Sequence, residues 1–229
     1  LFPLQIFFDF SGYVDMALGI SNILGIRLPI NFDRPYLSKS LTEFWRRWHI
    51  TLSRWFRDYV YIPLGGSKEG KIKTFYSLII TMTVAGLWHG ASWNFILWGL
   101  IHGFLLSLEK LNIFSKLNNF LPSIFSIFLT CFIVFNLWII FRISDFENLK
   151  LFFEILYSGN IYLFNTQVIY AVLILLLGLF SQKYDNYVFI EKFSKKINLK
   201  LLIPLAISIL LSGFLLSLGT SEKFIYFDF

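Results

Sequence analysis

Residues 75 to 108 form an apolar run of about 34 residues with no Asp, Glu, Lys or Arg. As one helix the run would be about 51 Å long at 1.5 Å per residue. The hydrocarbon core of a bilayer is only about 30 Å thick. The Gly90-Ala91-Ser92 stretch is the natural break, which makes the run two passes or a re-entrant hairpin. Other segments approach the roughly 20 apolar residues a spanning helix needs. They are 4 to 25, interrupted by Asp9, Asp15 and glycines, then 120 to 141, 167 to 182 and 201 to 219. The expected fold is therefore all-α: a polytopic helical membrane protein with about six membrane segments, in a single membrane domain over residues 1 to 229.

Composition agrees with lipid as the solvent. Only 15% of the 229 residues are charged, against about 25% in soluble domains, too few to cover a soluble surface. The net charge of +6 could indicate nucleic acid in a soluble protein. Here the basic residues cluster between apolar spans, which points to loops beside anionic lipid and away from nucleic acid. The lone Cys131 lies inside an apolar run and reads as packing. No cleavable signal peptide is evident. The chain begins at Leu1, already within an apolar pattern, so it is expected to be part of a longer protein.

Loop charges give an orientation. Residues 39 to 73 carry Lys39, Arg46, Arg47, Arg54, Arg57, Lys68, Lys71 and Lys73, and residues 183 to 200 carry Lys183, Lys192, Lys195, Lys196 and Lys200. Both loops read as cytoplasmic by the positive-inside rule. Residues 143 to 160 carry Asp145, Glu147 and Glu154 against Lys150 and read as external. Alternating passes then leave the C-terminal tail outside.

Residues 40 to 59 read SLTEFWRRWHITLSRWFRDY. Leu41, Phe44, Trp45, Trp48, Leu52, Trp55, Phe56 and Tyr59 recur at helical spacing, with Arg46, Arg47, Arg54 and Arg57 on the flanks and opposite face. This spacing predicts one amphipathic helix lying in the membrane interface, starting near Ser38, Ser40 and Thr42. His49 falls at the edge of its apolar stripe. It either faces an internal cavity or hydrogen-bonds a neighbouring helix at the interface. The arginines suit the phosphates of an acyl donor or those of lipid headgroups.

His89 and His102 sit in the middle of VAGLWHGASWNFILWGLIHG, residues 84 to 103. Ionisable groups in such sequence are costly and mark function by default. A neutral His89 could take a proton from a hydroxyl, or it could hold helices together through a carbonyl. His102 reads as structural. There is no His-Glu-x-x-His spacing, and one cysteine excludes a thiolate zinc site, so no metal is expected. No nucleophile elbow or P-loop is present. A histidine without a partner nucleophile in its motif points to direct activation of a substrate hydroxyl, or to a nucleophile elsewhere.

The strings FFDFSGYVDMALG (7 to 19), LPINFDRPYLSKSLTEFWRRWHITLSRWFRDYVYIPLGG (28 to 66), AGLWHGASWNFILWGLIHG (85 to 103) and FIYFDF (224 to 229) resemble the membrane-bound O-acyltransferase family. The likeness is to its bacterial branch for alginate and peptidoglycan O-acetylation. The resemblance concentrates in residues 1 to 110, which would hold the catalytic core motifs, with 111 to 229 supplying C-terminal membrane helices and tail. It implies that His89 of the Trp-His-Gly motif is catalytic and His49 of the Arg-Arg-Trp-His motif is a second active-site position. It also implies a tunnel with His89 deep inside and the basic region on the cytoplasmic side. Tyr226 would be an acyl relay outside, the alternative being an aromatic tail at the interface. Family members carry further helices before the FFDFSGY stretch, so this chain resembles the C-terminal half.

The expected activity is O-acyl transfer, of acetyl, from a cytoplasmic thioester such as acetyl-CoA, with no bound cofactor. His89 would act as general base and His49 would line the cytoplasmic entrance. Arg46, Arg47, Arg54, Arg57 and Asn94 are donor-binding candidates. The expected partners are membrane lipid, an extracytoplasmic acetyltransferase, a polysaccharide acceptor and the missing N-terminal half, in a bacterial inner membrane. The competing readings are a transporter-like subunit that conducts acyl groups, and an inactive fragment.

Overall fold

The computed structural model describes residues 2–111, 122–158, 166–182, 196 and 198–217, and among them every regular element is helical. Helix α1 spans Phe2–Ile23, and a 3-10 turn at Pro35–Leu37 precedes α2, Leu41–Arg47. Helix α3, Ile50–Phe56, continues into a π turn at Arg57–Tyr61. Then come α4 (Lys71–His89), α5 (Trp93–Lys110), α6 (Ser123–Arg142), α7 (Phe146–Tyr157), α8 (Thr166–Ser181) and α9 (Leu199–Ser217). The apolar segments thus fold as helices within a few residues of their expected ends, and the long run breaks at Gly90–Ser92 as its length demands. Tyr226, Lys183, Lys192 and Lys195 lie outside the described residues.

Two expectations change. The segment from 40 to 59 is not one helix: it breaks between α2 and α3 at Trp48 and His49, where His49 takes a left-handed conformation, φ 41° and ψ 57°. The acidic stretch after residue 143 is not a plain loop. Asp145 caps α7 there by accepting a hydrogen bond from the Glu147 amide at 3.0 Å.

The tightest packing joins α4 to α5, and glycine makes it so. A methyl group at Gly86 would collide with the Phe95 carbonyl, one at Gly99 with the Met82 carbonyl, and one at Gly103 would come within 2.6 Å of the Ile79 Cα. Gly99 and Gly103 form the small-xxx-small pattern that lets helices touch backbone to backbone. A second clasp centres on Tyr36. Its amide donates to Gln182 Oε1 at 3.0 Å and its hydroxyl to the Pro3 carbonyl at 2.5 Å, while its own carbonyl accepts from Cys131 Sγ at 3.0 Å. One residue thereby ties together α1, α6 and the end of α8.

Of the roughly six membrane segments expected, one among the described residues, α6, is long and apolar enough by length and composition to cross a membrane. Helix α9 turns Ile203, Leu205, Ile207 and Leu210 outward, each more than half exposed. A helix that is apolar all round needs lipid or another helix against it.

Replacing Gly103 with Val should separate α4 from α5 and cost about 1–3 kcal/mol or more, read as a lower melting temperature of the full-length protein in detergent. Phe104→Ala, which trims the neighbouring exposed side chain, should leave it nearly unchanged. Equal melting temperatures would remove the backbone contact from the account.

Candidate active site

Helices α2 and α3 form a bent wedge with His49 at its apex, and residues upstream hold the bend open. The Asp33 amide donates to the Arg47 carbonyl and the Ile50 amide to the Asn31 carbonyl, each at 3.0 Å. Asn31 Oδ1 also accepts from the Thr51 amide at 3.0 Å and the Thr51 hydroxyl at 2.7 Å. The first two amides of α3 are thus satisfied by one residue about 20 positions away, one through its backbone carbonyl and one through its side chain. The left-handed conformation costs a non-glycine residue roughly 1–2 kcal/mol, so the bend persists only because these bonds over-determine it. The other end of the wedge is held too. Glu109 of α5 accepts from the Leu41 amide at 2.9 Å and the Thr42 amide at 3.3 Å, and Ser40 caps α2 through the Glu43 amide at 3.2 Å.

At the apex the His49 ring packs edge-on against Phe10, centroids 4.8 Å apart, and lies 6.5 Å from Trp88. Its Nδ1 is buried and makes no hydrogen bond to another residue. Burial lowers its pKa to about 4, so the ring is neutral at physiological pH.

His89 ends α4 inside an aromatic shell. Its ring centroid lies 4.9 Å from Phe141, 4.9 Å from Trp88, 5.7 Å from Trp98 and 6.0 Å from Phe95. Trp88 stands beside both imidazoles, 6.5 Å from His49 and 4.9 Å from His89. The structure therefore brings His49 and His89 to the same end of the α4–α5 hairpin. His102 is elsewhere. It is 1% exposed, its Nδ1 donates to the Trp98 carbonyl at 3.0 Å, and its ring lies tilted 4.5 Å from Trp98 and edge-on 5.2 Å from Trp45, centroid to centroid.

A cavity of about 580 Å³ lies between the wedge and the hairpin. On α4 its lining runs along one face, Leu78, Thr81, Met82, Ala85 and His89, a rise of about 16 Å at 1.5 Å per residue. Trp98 and Leu106 of α5 line the cavity beside α4, and Lys110, Arg46, Arg54 and Arg57 contribute cations. His49 borders the His89 end without lining the cavity.

The predicted arginines separate into two kinds. Arg47 bonds Glu43 at 2.6 Å and does not line the cavity. Arg57 lines it but pairs with Asp58 at 2.7 Å. Arg46 and Arg54 line it without a direct ion pair among the described residues. Lys110, at the C-terminal end of α5, joins them. Asn94 serves the fold: its Nδ2 donates to the Phe141 carbonyl at 2.9 Å, satisfying an orphan acceptor in the last turn of α6. Sequence reasoning missed Asn31 and Lys110. Lys110 was signalled only as the first cation after the long apolar run, and Asn31 by nothing local. Among the described residues, no group of three or more His, Cys, Asp or Glu is placed to hold a metal.

Residues 1–149 match the membrane-bound O-acyltransferase family. The chain is 50% identical over 139 residues to a probable alginate O-acetylase, AlgI, of Pseudomonas syringae pv. tomato, covering 60% of this chain and 26% of that protein. It is 42% identical over 149 residues to a peptidoglycan O-acetyltransferase of Helicobacter pylori, covering 64% and 28%. It is 46% identical over 110 residues to a teichoic acid D-alanyltransferase of Streptococcus thermophilus, covering 45% and 26%. The chain thus spans between a quarter and a third of the length of these relatives.

Asn31→Leu should strip the acceptor from two Thr51 donors and cost about 1–3 kcal/mol, whereas Asn31→Asp keeps an acceptor oxygen and should recover most of it. Melting curves of the two variants in the full-length protein check this. Two curves that both match the unsubstituted protein would show that Asn31 does not hold the wedge.

Proposed function

Because the chain belongs to the membrane-bound O-acyltransferase family, we propose that it forms the catalytic core of a multi-pass enzyme that transfers an acetyl group from a cytoplasmic thioester toward an extracytoplasmic polysaccharide. The observation that carries this reading is the cavity, which joins a set of cations to His89 along one face of α4. The donor is acetyl-CoA or a similar phosphate-bearing thioester. Its anionic end meets Arg46, Arg54 and Lys110, with Arg57 beside them, and its thioester carbon reaches His89.

In the proposed step His89 accepts the proton of a hydroxyl as that oxygen attacks the thioester carbonyl. The new C–O bond forms, the C–S bond breaks, and the proton passes from His89 to the departing sulfur. The aromatic shell keeps water from competing for the acyl group. His49, neutral and close by, orients the hydroxyl or His89 rather than guarding the entrance. The hydroxyl belongs to the acceptor or to Tyr226, which then relays the acyl group to an external acetyltransferase. Membership of the alginate or peptidoglycan branch, the bacterial inner membrane and completion of the tunnel by a preceding half are parts of the same proposal. Likeness to the alginate and peptidoglycan relatives over the larger share of the chain supports acetyl over D-alanyl.

His89→Ala should abolish acetylation of the cell's polysaccharide while the full-length protein remains in the membrane at normal level. Normal acetylation in that variant would sink the assignment. Labelled acetyl-CoA with the purified protein separates enzyme from conduit: label on a hydroxyl supports the enzyme, and acetyl flux without acylation supports a transporter. Removing Arg46 and Lys110 together (Arg46→Gln with Lys110→Gln) should raise the donor KM about tenfold or more with little change in kcat, since they touch the part of the donor that does not react. A twofold or smaller rise would take the donor away from this end of the cavity.

A further inference from the structure

The cavity lining stops at His89, and what lies behind that ring is solid aromatic packing. Phe141 is fully buried and meets His89 edge-on at 4.9 Å. Phe95, 6% exposed, lies 4.8 Å from Phe141 and 6.0 Å from His89. Trp138 meets Phe141 edge-on at 5.3 Å. None of Phe95, Phe141 and Trp138 lines the cavity.

This backing has little room to yield. The Phe141 carbonyl is pinned by Asn94 at 2.9 Å. Phe95 is pinned through its backbone, because α4 and α5 touch at Gly86, where even a methyl group would strike the Phe95 carbonyl. Its ring is held as well: a methyl group at Gly90 would come within 3.0 Å of it. A close-packed wall of this kind does not open for one more methylene without strain.

We propose that Phe141, backed by Phe95, is the acyl-length stop of this enzyme. This rests on the acyl-transfer reading above. A thioester that enters from the cationic end and presents its carbonyl to His89 points its acyl group at this wall. Acetyl fits in front of it, and longer straight chains do not. Shortening Phe141 opens a dry apolar recess behind His89, the kind of space that apolar groups enter and water does not.

The test uses the full-length protein in lipid nanodiscs with acetyl-, butyryl- and octanoyl-CoA and a soluble oligosaccharide as hydroxyl acceptor, reading the His89-dependent release of free CoA thiol. The unsubstituted protein should turn over acetyl-CoA and discriminate strongly against octanoyl-CoA. Phe141→Ala should raise the octanoyl-to-acetyl ratio of kcat/KM at least about tenfold, since each methylene in an apolar pocket is worth about that much. Phe141→Leu and Phe95→Leu, which disturb packing less, should extend acceptance to butyryl and carry the test if Phe141→Ala fails to fold. A folded variant that keeps acetyl turnover with an unchanged ratio overturns the wall and leaves the acyl-transfer reading standing. So does an unsubstituted protein that uses octanoyl as well as acetyl. Absence of His89-dependent acetyl-CoA turnover overturns the acyl-transfer reading itself, and the wall with it.

Discussion

A helix that ends inside an apolar fold leaves amides and carbonyls without water to satisfy them, and this constraint organises the chain. Its polar side chains are largely committed to it. Asn31 serves the start of α3, Glu109 and Ser40 the start of α2, and Asn94 the end of α6, while Gln182 takes the amide of Tyr36. Glu43 binds Arg47 and also the Lys39 amide, at 2.7 Å. Polar groups this costly in lipid are placed where a broken helix needs them. That is why the few cations that line the cavity without a direct ion pair stand out, and why their convergence with His89 on one space carries functional weight.

The two helix breaks are of different kinds, and the difference explains what was legible in the sequence. The turn after His89 was readable because length forbids a single helix and Gly90 follows at once. The bend at His49 was not. The apolar positions on both sides keep helical spacing through it, and histidine is no turn former. What breaks the helix is Asn31, whose hydrogen bonds to residues 50 and 51 exist only in the folded chain. Periodicity reports a preference, and a long-range hydrogen-bond set overrides it.

The arginines teach the same lesson at the level of the site. Their spacing placed all of them on the flanks of one helix, where they look equivalent. The Glu43–Arg47 pair was in principle visible as an i, i+4 contact, and the Asp58–Arg57 pair as neighbours. Lys110 could not be grouped with Arg46 from sequence, because only the antiparallel return of α5 brings it to the cavity. Histidine shows a further limit. His49, His89 and His102 all sit in apolar sequence, yet one marks a bend, one ends a helix at a cavity, and one bonds its own helix through the Trp98 carbonyl. Residue type and surroundings in sequence do not separate these fates, because each depends on what a different helix brings alongside.

The bend and the hairpin also depend on each other. A straight helix over residues 40 to 59 would be about 30 Å long, and it would carry Arg57 far from Thr42 and Arg46. The bend at His49 lets Thr42, Arg46, Ser53, Arg54 and Arg57 line one space while His49 lies against Trp88. The wedge can hold this shape only against a surface that does not give, and the glycine contacts of α4 with α5 supply it. Glu109 makes the coupling direct, since the helix that carries Trp98 and Lys110 also caps α2. A change that loosens the hairpin therefore moves the cavity's cations, His89 and His49 together, which ties the spacing between them to the packing of α4 against α5.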